Sequence, residues 1–242
     1  MGKIVAIGGG EIGKDGRPIE TTVIDQEIVG LSGKDQPRLL FLPTASNDAP
    51  NYFELIKAHF GNRLRCITDV LYLIDQTPTL HEIEDKIFGS DIIYVGGGKT
   101  ALLLKIWEQL GVDRILRQAY ENGVIMSGLS AGSICWFKQS VNQNTGLGLI
   151  NAIHCPHYDA RREIHLESKN KVKEVTQHSE LVAICLDDCC ALEVIDEKYR
   201  IIASRDEANA YKVFWKNGCN YEKRIRKEET FTDLQELLKK DD

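Results

Sequence analysis

The segment Gly128-Leu129-Ser130-Ala131-Gly132 sets a serine between two glycines at G-x-S-x-G spacing, after the apolar run "GVIMS" and before "SICWF". Where a strand turns sharply into a helix, one side chain is pushed into a strained, exposed position. The flanking glycines then leave room for the turn and for close helix packing. Ser130 is therefore read as a nucleophile. The N–H of Ala131, first in the helix, has no intrahelical acceptor and can point at a developing oxyanion. A serine here also suits a helix cap; the strand–helix setting favours the nucleophile.

A nucleophile needs a second oxyanion donor, a base and an acid. "YVGGGKT" ends a strand in Gly96-Gly97-Gly98, and Lys99 and Thr100 open a helix. A parallel α/β sheet gathers the carboxyl ends of its strands at one edge, so the N–H groups of Gly98 and Ala131 are expected to face the same substrate oxygen. "GGGKT" lacks the spacing of a phosphate-binding loop, and no nucleotide is expected. Of the six histidines, His59 and His81 fall in helical surface patterns and His178 in a polar stretch. All three are expected to be solvated. "HCPHYDARR" reads as a loop whose backbone Pro156 restrains, which makes His157 the expected base and His154 the alternative. No Asp or Glu lies between Ser130 and His157, so the acid must come from elsewhere. The turn in "LDDCCALEV" offers Asp188, with Asp187 beside it, to accept the imidazole N–H and hold its tautomer.

His154, Cys155, His157, Cys189 and Cys190 could be read together as a metal cluster. They contain no C-x-x-C, and adjacent cysteines do not easily face one ion, so no metal is expected. Cys135, one turn into the helix, reads as core.

These residues need a scaffold that brings strand ends together. "KIVAIGG", "RLLFLP", "LRCITDVLYL", "DIIYVGGG" and "GVIMS" read as strands. Between them lie helical patterns at residues 19–31 (opened by Pro18), 50–60, "TLHEIEDKIFG", "TALLLKIWEQLG" and roughly 113–122. Continuous apolar strands alternating with helices predict an α/β fold with a mostly parallel sheet and helices on both faces. After about residue 150, "ELVAICL", "CALEVI", "YRIIAS" and "AYKVFW" predict antiparallel additions, and "TDLQELLKKDD" a short terminal helix. With no linker or repeat, residues 1–242 are expected to form a single domain.

Composition narrows the partners. The net charge is −6 with no extended basic cluster, which argues against nucleic acid. No apolar run approaches the roughly 18–20 residues needed to cross a bilayer. "MGKIVAIGGGEIG" is too short and glycine-rich for a signal peptide, so a cytoplasmic location is expected. Seven scattered cysteines do not form a disulfide framework and are expected to be mostly reduced and buried.

With "IVAIGGG", "FLPTAS", "DIIYVGGGKT", "GVIMSGLSAGS", "CPHYD" and "LDDCCALEV" in order, the chain resembles the aspartyl dipeptidase (peptidase E) family of serine peptidases, related to cyanophycinase. The resemblance implies a fold like that of class I glutamine amidotransferases. It matches the family's nucleophile to Ser130, its histidine to His157, its oxyanion glycine to Gly98 and its late acidic residue to Asp188. It implies hydrolysis of small peptides, with Asp-X dipeptides as candidate substrates, no cofactor, and a monomer or homodimer. An acidic side chain would call for cations, and Lys99, Arg161 and Arg162 are the ones available, arginine being better suited to a carboxylate. Lys99 stands where many members carry Asn, and "SVNQNTG" lacks the Asp that some carry after the nucleophile. An esterase or amidase on the same elbow, or a catalytically silent binding module, would share these features.

Overall fold

The structure, a computed structural model, describes residues 2–158 and 164–241. Its first half alternates strand and helix: β1 (Lys3–Ile7), α1 (Thr22–Gly30), β2 (Arg38–Leu42), α2 (Pro50–Ile56), β3 (Ile67–Val70), α3 (Leu80–Phe88), β4 (Ile92–Val95), α4 (Thr100–Leu110), α5 (Val112–Glu121), β5 (Ile125–Leu129) and the one-turn α6 (Ala131–Ile134). Then follow β6 (Phe137–Ser140), β7 (Ile150–Pro156), α7 (Ile164–Gln177), β8 (Ala183–Leu186), β9 (Cys190–Ile195), β10 (Lys198–Ala203), β11 (Ala210–Lys216), β12 (Cys219–Ile225), β13 (Thr232–Asp233) and α8 (Leu234–Leu238). Among the described residues the strands make two sheets, an eight-stranded one in the order β13-β10-β9-β1-β5-β4-β2-β3 and a five-stranded one in the order β12-β11-β8-β7-β6.

The centre of the large sheet is parallel, and its strands are apolar on both faces because helices cover both. Ile4, Leu40, Ile93 and Met126 pack with Ile83, Leu103 and Trp107 of α3 and α4. The alternate residues Val5, Leu39, Tyr94 and Ile125 pack with Ile24 and Ile28 of α1 and with Ile56 and Phe60. The parallel order places the turns after β1, β2, β4 and β5 at one edge.

Several elements differ from the sequence reading. "CALEVI" does extend the large sheet antiparallel to β1 and "YRIIAS" pairs antiparallel to "CALEVI", whereas "ELVAICL" and "AYKVFW" supply β8 and β11 of the second sheet. α1 starts at Thr22 rather than residue 19, and Pro18 lies outside it. Ile12 and Ile19 form an antiparallel bridge, and Glu20 N–H donates to the Glu11 carbonyl at 2.7 Å, so residues 10–20 fold into a finger instead. No helix among the described residues is long and apolar enough to cross a membrane.

His59 is the largest departure. Lys57–Arg63 continue α2 as a π-helix, in which Leu64 N–H reaches back to the His59 carbonyl. Within this wider turn both His59 and Phe60 are buried. His59 is 2% exposed, and its Nε2 lies 2.8 Å from Asp25 Oδ2, which also accepts the Thr21 hydroxyl at 2.7 Å. Burial holds the Asp25 carboxyl above its usual range, against the lowering effect of His59 and Thr21. His81, by contrast, is 82% exposed and His178 is also exposed, as expected. His59→Ala should therefore destabilise the protein by about 3–5 kcal/mol, the cost of stripping a buried carboxyl of its partner. His81→Ala should change stability by less than about 0.5 kcal/mol. Paired denaturant titrations check both.

Candidate active site

Ser130 closes β5 and precedes α6, with φ 56° and ψ −115°. Close packing enforces this geometry. A Cβ on Gly132 would lie 2.1 Å from the Val95 carbonyl oxygen, and one on Gly128 would lie 2.6 Å from the same atom. Only glycines let the turn sit this tightly on the end of β4. Ser130, His157 (φ 146°) and Cys189 (φ 63°) all hold positive φ, so backbone strain gathers at this point of the fold.

His157 and Asp188 arrive from the second sheet. β7 and β8 are parallel with Pro156 opposite Leu186, so His157 lies one residue past its strand and Asp188 two past the neighbouring one. β9 then starts at Cys190 beside the end of β1 and runs antiparallel to it, so the turn carrying Asp188 enters the large sheet at the same edge. The result is a continuous chain of hydrogen bonds: Asp188 Oδ1 lies 2.8 Å from His157 Nδ1, and His157 Nε2 lies 2.6 Å from Ser130 Oγ. A carboxylate partner selects the tautomer in which Nδ1–H donates and Nε2 accepts the serine hydroxyl. The imidazole is 46% exposed and the aspartate side chain 16%.

Asp187 points elsewhere, its Oδ2 accepting the Asn209 N–H at 2.8 Å. Gly98 closes the turn after β4, and a Cβ on it would strike the Ala45 carbonyl oxygen at 2.2 Å. The neighbouring Gly97 backs onto Ser130, its Cβ position 3.3 Å from the serine Cβ. The Gly97 N–H is taken by the Tyr52 hydroxyl at 3.1 Å. The N–H groups of Gly98 and Ala131 have no acceptor among the described residues. Lys99 caps α4, with its N–H on the Ala45 carbonyl at 2.7 Å and its side chain exposed. Arg161 and Arg162 lie outside the described residues. Cys135 is buried with its thiol pushed well up by desolvation, and burial pushes Cys189 and Cys190 up to about 12. No group of three metal-ligating side chains converges among the described residues.

His154, the alternative base, is buried behind the turn. Its Nδ1 donates to the Ile184 carbonyl at 2.9 Å, Phe137 stacks on its ring at 4.2 Å, and Nε2 lies 2.9 Å from Ser133 Oγ. Ser133 Oγ also lies 2.8 Å from the Ser130 carbonyl oxygen, so His154 packs behind the Ser130 turn without reaching its hydroxyl. Desolvation lowers the His154 pKa from 6.5 to about 3.

Two features of the site escaped the sequence reading. Gly9, in the glycine triplet after β1, lies beneath the imidazole–carboxylate pair: a Cβ there would fall 2.1 Å from Asp188 Oδ1 and 2.4 Å from His157 Nδ1. A glycine triplet at a strand end that shares the edge with Ser130 was the available signal. The finger of residues 10–20 is the other feature. It parts two cavities of about 450 and 560 Å³, both bordered by Gly10 and Glu11. Tyr52, beside the second, carried no sequence signal, because its role depends on the distant Gly97.

The comparisons follow from this geometry. The sequence model of peptidase family S51 matches residues 4–202. The uncharacterized peptidase YgaJ of Bacillus subtilis (strain 168) is 36% identical over 221 residues, covering 88% of this chain and 92% of that protein. The crystal structure of a peptidase from an acI-B1 actinobacterium superposes with a TM-score of 0.74 at 16% identity, covering 96% of this chain and 97% of the other. A Listeria monocytogenes EGD-e protein named for peptidase E gives a TM-score of 0.64 at 20% identity, over 84% and 98% of the two chains. At such identities the two structures speak for the fold.

Two outcomes are expected. Gly9→Ala should separate His157 from Asp188 while leaving the fold intact, because only side-chain ends block the new methyl. Loss of the downfield His157 Nδ1 proton resonance, with little change in melting temperature, would check this. Between about pH 6.5 and about pH 3 the unfolded chain binds a proton that the folded His154 refuses, so stability falls as pH drops through that window. His154→Asn, which cannot take up that proton, should flatten the decline in denaturant titrations across the window.

Proposed function

The chain belongs to peptidase family S51, and from that membership and the geometry at Ser130 we propose that it cleaves short peptides through a Ser130–His157–Asp188 triad. The observation that carries the reading is the pair of contacts at 2.6 and 2.8 Å, made by three residues from two different sheets. Ser130 Oγ attacks the carbonyl carbon as its proton passes to His157 Nε2. Asp188 holds the imidazole in place and stabilises its cation. The tetrahedral oxyanion forms beside the N–H groups of Gly98 and Ala131, each donor worth about 3–4 kcal/mol in comparable sites. Collapse expels the amine, which takes the proton from His157, and leaves an ester on Ser130. Water, activated by the same imidazole, then hydrolyses the ester. The steps need no cofactor.

The finer reading implied by the resemblance is cleavage of Asp-X dipeptides, which requires a cation close to the acyl half of the substrate. Lys99 borders neither cavity beside Ser130, and among the described residues the cavity on the Gly97 side offers Lys14 as its cation.

Ser130→Ala and His157→Ala should each lower kcat on a cleaved peptide by roughly ten-thousandfold or more, since triad members act as a unit. Asp188→Asn should cost less, and Asp187→Asn little. A fluorophosphonate should label wild type and not Ser130→Ala. Wild-type turnover by the alanine variant would sink the mechanism.

A further inference from the structure

The serine mechanism just proposed gives the two cavities different tasks. His157 returns its proton to the leaving amine, so the leaving group departs on its side. That side is the cavity of about 450 Å³ bordered by His157, Asp188, Arg17 and Glu20. The acyl half of the substrate then faces the other way, into the cavity of about 560 Å³ that meets the nucleophile turn at Gly97 and Leu129. We propose that this second cavity is the acyl-side specificity pocket and that it selects a large apolar side chain, of the leucine or phenylalanine class, over a carboxylate; the proposal rests on the serine reading above.

Its lining includes Ile12, Ala49, Tyr52, Leu55 and Leu129, with Ser46 and Asn51 as its uncharged polar side chains. The tyrosine is held at both ends. Its hydroxyl is engaged by the Gly97 N–H, and its ring packs against Phe41 at 4.9 Å between centroids. It therefore presents a fixed aromatic surface at low entropic cost. A volume of this size suits a ligand pocket with apolar walls. The rim adds no net positive charge: Glu11 pairs with Arg17 at 3.4 Å, and Asp15 and Lys14 set one acid against one base. Glu11 is turned inward on its own loop, accepting the N–H groups of Ile12 at 2.9 Å and Lys14 at 2.7 Å. A substrate carboxylate entering here would lose water against apolar walls with no net positive charge to receive it. A leucine or phenylalanine side chain would lose only apolar hydration.

The test is kcat/KM on Phe-X, Leu-X, Ala-X and Asp-X dipeptides sharing one X. Phe-X and Leu-X should exceed Ala-X and Asp-X by about tenfold or more, the scale on which an apolar pocket discriminates. Leu55→Arg should invert the order, lowering Phe-X and raising Asp-X. Ala49→Phe, which narrows the same cavity, should lower the Phe-X to Ala-X ratio and keeps the proposal testable if the arginine variant does not fold. Asp-X cleaved as fast as Leu-X by wild type overturns the apolar pocket and leaves the serine mechanism standing. If Arg161→Ala or Arg162→Ala then removes that activity on Asp-X, the selecting cation comes from their segment. Failure to cleave any peptide, with no phosphonate labelling of Ser130, overturns both readings together.

Discussion

The site depends on one imidazole held between two sheets. His157 leaves the end of β7 in the smaller sheet, Ser130 the end of β5 in the larger, and Asp188 the turn that carries the chain from one to the other. The ring is gripped at both nitrogens, by a carboxylate at 2.8 Å and a hydroxyl at 2.6 Å. Neither contact survives a one-residue slip of β7 against β8, because alternate residues of a strand face opposite ways. The pairing of Pro156 with Leu186 is therefore as much a part of the site as the side chains themselves. The two sheets must also stay fixed relative to each other, which falls to the large core shared by residues such as Trp136, Leu186 and Leu192.

That constraint explains where the fold tolerates cost. Ser130, His157 and Cys189 all occupy positive φ, a conformation unfavourable for side chains with a Cβ. The surrounding structure over-determines them. α6 is pressed onto the Val95 carbonyl through Gly128 and Gly132, and the Ser133 hydroxyl lies between the Ser130 carbonyl and a buried, neutral His154. Gly9 contributes by having no side chain, since the space it vacates is where the imidazole meets the carboxylate. Order here is a matter of close packing around a strained turn, with glycines and buried side chains around the Ser130 hydroxyl.

The finger of residues 10–20 borders both cavities beside Ser130. It is anchored at its base by the Glu20–Arg205 ion pair at 3.3 Å and closed on itself by Glu11. Glu11 pairs with Arg17 and Glu20 with Arg205, and the Gly97-side cavity carries Ile12, Ala49, Tyr52, Leu55 and Leu129 in its lining. A protein of net charge −6 does not draw in acidic ligands by its overall field, so any attraction for them falls to local surfaces.

Much of this was legible in the residue pattern. Strand ends rich in glycine, a serine at G-x-S-x-G spacing, and the order of Gly98, Ser130, His157 and Asp188 are local chemical signals, and each survives being read in one dimension. The alternation of apolar runs and helical periods likewise determined the parallel centre of the large sheet. Tertiary structure alone decided the rest. Nothing local distinguishes Asp188 from Asp187; the β7–β8 register and the bond from Asn209 to Asp187 separate them. Nothing local buries His59; a π-helical turn and the distant Asp25 do. The helix expected from residue 19 gave way to a finger because Ile12 and Ile19 pair across it, and the late strands divided between two sheets. Such outcomes turn on contacts between residues far apart in the chain, whose free energy has no counterpart in local propensity.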